Sequence, residues 1–78
     1  MTDEKRFQAI LPKMTADTIG ILMQRNGWDE NRAIGLFMRS EVYDRLKDEK
    51  TKVWHFSPLL LAQLFEDEMK GQLVWPEV

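Results

Sequence analysis

The 78-residue sequence contains no cysteine. That absence excludes disulfide staples, thiolate nucleophiles and cysteine-ligated zinc, and it leans towards a reducing compartment. Histidine is reduced to a single residue, His55, and one imidazole is a poor start for a transition-metal site. Long apolar runs are missing as well. The longest strictly apolar stretch is Leu59 to Ala62, far short of the roughly 20 residues a membrane-spanning helix requires. The opening residues Met1-Thr2-Asp3-Glu4-Lys5-Arg6 are not followed by the apolar segment of a secretory signal. Charge of one sign is scarce: 11 lysines and arginines face 13 aspartates and glutamates, a net charge of −2. A nucleic-acid-binding domain of this size usually carries a basic excess. Neither a glycine-rich phosphate loop nor a calcium loop occurs. These absences lead to the expectation of a soluble cytoplasmic protein with no cofactor, no metal and no catalysis.

What is present is a heavy apolar load. Hydrophobic residues make up 44% of the chain and include three tryptophans and five methionines. A chain of this length supports one domain, taken as residues 1–78, with a small core and modest stability. Either these bulky residues fill that core densely or some of them face a partner.

Helix punctuation is clear. Asp3 suits the start of a first helix, with Glu4 favourable in its first turn. Apolar residues follow at Phe7, Ile10, Leu11, Met14, Ile19, Leu22 and Met23, interrupted by Pro12, which cannot donate to the carbonyl one turn back. The pattern predicts a kink or two helices there, the longer one starting near Lys13, with Gly27 as the stop. Asp29 caps a second helix over about 30–39, Ser40 a short third one over 41–47, and Ser57-Pro58 opens a last helix reaching Lys70 before Gly71. The alternation in 51–56 and the tail 72–76 suggests two extended segments able to pair as a minimal sheet. The expected fold is therefore a mostly α bundle of three to four helices.

Two stripes mark the first helix. Phe7, Leu11, Met14, Thr18, Ile21 and Arg25 follow heptad spacing, while Ala16, Ile19, Leu22 and Met23 lie on another side. One side is expected to meet the rest of the domain, and the tail covers the other only partly. Phe7, Leu11, Met14 and Ile21, with Trp54 and Trp75, are the candidate interaction surface, and a homodimer is the expected assembly. Gly20 and Gly35 fall inside helices, at nearly equal distance from the Gly27 turn. Close packing of the two helices is the leading reading of that symmetry, with a groove where backbones approach a ligand as the alternative, and Gly20→Leu would overpack the contact.

Other candidates carry less chemistry. Glu68 falls within the apolar arc of the last helix and is expected to reach solvent from its final turns. His55 and Ser57 are two residues apart, but nothing places an orienting carboxylate, and Ser57 is better used as a cap. Glu66-Asp67-Glu68 reads as a solvated acidic face.

Two resemblances add to this. Leu22-Met23, the loop Asn26-Gly27-Trp28, and Ala33 with Leu36 and Phe37 make the stretch from Ile19 to Leu46 similar to a ubiquitin-associated (UBA-like) three-helix module. Asn26 and Trp28 stand where that family has methionine and phenylalanine. The resemblance implies a compact helical interaction module. Phe37, Ser40, Tyr43, Leu46, Thr51-Lys52-Val53-Trp54, Ser57 and Glu68 together resemble a group of small bacterial proteins of uncharacterised function, which implies a bacterial or phage cytoplasmic protein. A protein–protein interaction module or small regulator is thus the leading expectation. The alternative is a helix-turn-helix nucleic-acid binder with Arg45, Lys47, Lys50 and Lys52 on the phosphates.

Overall fold

A computed structural model describes residues 3–76 of the chain. The element order is α1 (Asp3–Asn26), α2 (Glu30–Met38), α3 (Glu41–Leu46), two 3₁₀ turns (Glu49–Thr51 and Val53–His55) and α4 (Pro58–Met69). The fold is a helical bundle with no strand among the described residues. At 1.5 Å per residue, the 24 residues of α1 span about 36 Å. They set the long axis of a molecule measuring 38 × 25 × 18 Å.

α1 runs unbroken through Pro12, so neither of two separate helices forms there. The missing proline N–H leaves the Gln8 carbonyl without its helical donor. Both residues are exposed, so water can take that place. Downstream the ladder is reinforced by side chains: the Thr15 hydroxyl donates to the Leu11 carbonyl at 2.8 Å and the Thr18 hydroxyl to the Met14 carbonyl at 2.7 Å. Gly27, at φ +68°, ends the helix in a left-handed conformation that other residues adopt at a cost. Its N–H donates to the Met23 carbonyl at 2.9 Å.

The remaining caps form as their sequences direct. Asp29 Oδ1 accepts from the Arg32 N–H at 2.8 Å, Ser40 Oγ from the Tyr43 N–H at 3.0 Å, and Ser57 Oγ from the Leu60 N–H at 3.1 Å. At the end of α4 the Gln72 N–H reaches back to the Asp67 carbonyl at 2.8 Å and the Gly71 N–H to the Glu68 carbonyl at 3.0 Å. That is the paired pattern that closes a helix on a left-handed glycine.

The core lies where α1 meets α2, α3 and α4. Leu22, Ala33, Phe37, Val42, Leu46 and Leu61 are fully buried. Aromatic edges run through it: Trp28 against Phe65, Phe65 against Phe37, and Phe37 against Tyr43, with ring centroids 5.6–6.2 Å apart. Such edge-to-face pairs add about 0.5–1.5 kcal/mol each beyond their buried area.

Segment 51–56 is not extended. It coils into 3₁₀ turns because Val53 and Trp54, adjacent in sequence, are both buried. Consecutive strand residues would point to opposite faces. The Trp54 indole N–H donates to the Glu49 carbonyl at 3.0 Å, and its ring meets Phe7 edge-on at 5.7 Å. Lys52 turns the chain at φ +60° and ties it to α1, its ammonium reaching Asp3 at 3.1 Å and Glu49 at 2.7 Å.

The tail 72–76 forms no strand. Leu73 and Trp75 pack inward while Val74 points out, and the Trp75 indole N–H donates to Glu41 at 2.9 Å. The Arg45 guanidinium stacks on the Trp75 ring, 4.6 Å from its centre, so the tail lies on α3.

Glu68 departs most from its sequence reading. Its carboxylate does not reach outward; it accepts from the Glu41 N–H at 2.9 Å and the Val42 N–H at 3.1 Å. A residue of α4 therefore satisfies two donors at the start of α3 and places negative charge at that helix's positive end. We expect Glu68→Ala to lower the unfolding free energy by about 1–3 kcal/mol, as losing charge-assisted bonds to two backbone donors should. Chemical denaturation of the variant checks this, and an unchanged midpoint would show that water replaces the carboxylate without cost.

Candidate docking groove

A largely apolar groove lies between α1 and α2. It has a volume of about 640 Å³. Its floor on α1 is Leu11, Pro12, Ala16, Ile19, Gly20 and Met23, and its opposite wall is Ile34 and Met38 of α2. Thr15, Glu30 and Tyr43 supply the polar atoms. The Thr15 hydroxyl is already spent on the Leu11 carbonyl. The wall residues are unusually open for their type: Ile34 is 37% exposed and Met38 40%. Large apolar groups left in the open beside an apolar concavity are the usual mark of a contact surface.

A second, shallower concavity lies between α1 and the start of α4, lined among others by Ile21, Pro58 and Leu59. It shares Ala16 and Gly20 with the first. The middle of α1 is thus a low saddle of small residues, flanked by Ile34 and Met38 on one side and by Leu59, 48% exposed, on the other.

This geometry buries parts of both stripes on α1: Ile19 and Leu22 face the domain as expected, and so does much of the heptad stripe. Met14 and Thr18 of the heptad stripe are buried, and Phe7, Leu11 and Ile21 are half-buried against the core. Of the six residues assigned to an interaction surface, Met14 and Trp54 have almost no surface to offer, at 8% and 2% exposure. Trp75 is half-buried on α3. Leu11 alone of the six lines the groove. Of the residues that build it, Pro12, Ala16 and Gly20 stood out in the sequence but were not joined into one surface, and Ile34 and Met38 were missed because their neighbours on α1 lie far off in the chain.

Gly20 and Gly35 do not pack against each other. A Cβ placed on Gly20 would find no atom within 4 Å, and one on Gly35 would meet only the Arg39 side chain, at 3.9 Å. Close helix contact therefore does not account for either glycine.

The basic residues of the helix-turn-helix reading are largely engaged within the chain. Lys52 is held by Asp3 and Glu49, Lys47 lies 3.4 Å from Asp44 and against the Tyr43 ring, and Arg45 stacks on Trp75. Accordingly the Lys52 ammonium pKa is raised, chiefly by its hydrogen bond to Glu49 and then by that to Asp3. His55 is exposed with its ring against Trp54, and the Ser57 hydroxyl is committed to the Leu60 N–H. No helix among the described residues is long and apolar enough to cross a membrane.

At the turn end of the groove, α1 is fixed to α4. The Arg25 guanidinium grips the Glu66 carboxylate with three contacts of 2.8–3.1 Å, and the Asn26 amide adds a fourth at 3.1 Å. The Glu66 carboxyl is held below its ordinary 4.5, first by the hydrogen bond from Arg25, against burial, and further by Asn26. No family model, curated protein or solved structure matches the chain.

Two outcomes follow from these contacts. Gly20→Ala should raise the unfolding free energy by about 1 kcal/mol, the mid-helix preference for alanine, because no neighbour resists the added methyl. A thermal melt at or below the wild-type midpoint would contradict the open geometry. The lowered Glu66 pKa stabilises the fold above the unfolded-state value, and that contribution is lost as the pH falls through the folded-state value. Glu66→Gln should therefore flatten the acid decline in stability below pH 4.5, measured by denaturation across that range.

Proposed function

We propose that this chain is a protein–protein interaction module whose docking surface is the groove between α1 and α2. The observation that carries the reading is the exposure of Ile34 and Met38 along one wall of a mostly apolar concavity. Two helices with an open apolar seam between them form the natural bed for a third. A helix laid in such a groove is held by apolar residues recurring every three or four positions, the helix-in-groove mode of recognition. Burying even half of two such side chains contributes on the order of 1–2 kcal/mol to association, at roughly 25 cal/mol per Å².

The saddle at Ala16 and Gly20 fits this role. Gly20 is unfavourable in a helix interior, and its own chain makes no use of the vacant position. A docked backbone or bulky side chain would use it.

A photo-crosslinking amino acid at Ile34 or Met38 tests the reading in the source cells, with the exposed His55 position as control. The expected result is one discrete adduct from the groove positions and none from position 55. No adduct from the groove, or the same diffuse pattern from all three positions, would overturn it.

A further inference from the structure

We propose that the groove takes a basic amphipathic helix from a partner protein, its apolar face on the α1–α2 seam and a lysine or arginine on Glu30; this rests on the docking-groove reading above. The helical form of the occupant follows from what the groove does not offer. Along the floor from Leu11 to Met23 the backbone is held in the α1 ladder, and the Thr15 hydroxyl is given to the Leu11 carbonyl. An extended peptide laid there would press its own N–H and C=O groups against a surface with almost no partners for them, and a buried backbone group without a partner costs about as much as a lost hydrogen bond. A helix arrives with its backbone bonds already made and presents only side chains. The dimensions agree. From Leu11 to Met23 the groove follows α1 for about 18 Å, the length of roughly three helical turns.

The sign of the occupant's charge follows from the rim. The residues that carry charge along the two concavities on α1 are Glu30 in the first and Asp17 in the second, both acids. Asp17 is paired with Lys13 at 3.0 Å. Glu30 is exposed and makes no hydrogen bond or ion pair among the described residues. Next to it in sequence, Asp29 already caps α2 by accepting from the Arg32 N–H. Glu30 therefore stands at the turn end of the groove with its carboxylate uncommitted, beside Met23 and facing the space an occupant fills. A cation there meets its complement, and an acidic helix meets repulsion. Rim charges of this kind select and orient a partner while the apolar seam supplies most of the binding.

Synthetic helical peptides of about 14 residues, with leucines recurring every three or four positions, are the probes. One form carries lysines at both ends, a second glutamates, a third glutamines. Titration into the full chain is followed by the methyl resonances of Ile34 and Met38. The lysine peptide should shift both and bind about fivefold more tightly than the glutamate peptide at low salt, the effect of turning one exposed attraction into a repulsion. Glu30→Gln should remove that preference and Glu30→Lys should invert it, with the circular dichroism spectrum unchanged. Equal affinities for the three peptides, or a preference that persists in Glu30→Gln, overturns the basic-helix proposal and leaves the docking reading standing. If no peptide shifts Ile34 or Met38, the proposal also falls. The crosslinker at Ile34 then separates the two readings: an adduct with a second copy of this chain or with one other protein keeps the docking surface with a different occupant, and no adduct removes both.

Discussion

Everything in this fold depends on covering one helix. α1 is as long as the molecule itself and presents apolar residues around much of its circumference. Such a helix is stable only while other elements shield it, since packing rather than intrinsic propensity supplies most helical stability in proteins. The described chain after Gly27 does this shielding. It divides the task by length. The 3₁₀ turns cover the first turns through Trp54 on Phe7, and α4 together with α2 covers the second half through Leu61, Phe65 and Phe37. The middle of the outer side is left over. The open groove lies over that uncovered middle, between α1 and α2.

Electrostatics secures this cover at both ends. Lys52 holds the start of α1 through Asp3, and Glu66 holds its end through Arg25 and Asn26. These groups are partly exposed, so each pair contributes modestly and weakens as salt is added. Their effect is registration more than strength. They fix how far α1 slides along α4, and with it which side chains border the groove.

The local features of the fold were legible in the sequence and the long-range ones were not. Asp29, Ser40, Ser57, Gly27 and Gly71 announced helix boundaries because capping is decided within three or four residues. The sequence could not reveal which side of α1 faces inward, because both Met14–Thr18 and Ile19–Leu22 are apolar enough to be core. The structure buries parts of both. Alternation in 51–56 resembled a strand, but two adjacent buried residues required a helical turn. Glu68 looked like a surface acid because its partners, the Glu41 and Val42 amides, lie 27 and 26 positions away. The groove was legible only as an alternative at Gly20, since its far wall, Ile34 and Met38, lies well along the chain. Its floor is defined by Ala16 and Gly20, residues whose significance lies in what does not touch them.

The Glu68 contact bears on how the chain becomes ordered during synthesis. α3 has six residues, and a helix so short does not persist alone in water. Ser40 satisfies one donor at its start, while the next two amides wait for a carboxylate near the end of α4. A chain emerging from the ribosome can assemble the α1–α2 hairpin early, since its contacts are close in sequence. α3 gains this carboxylate only once residue 68 has been made and α4 has docked. A helix made later thus supports an earlier one, and the docking of α4 steadies the start of α3.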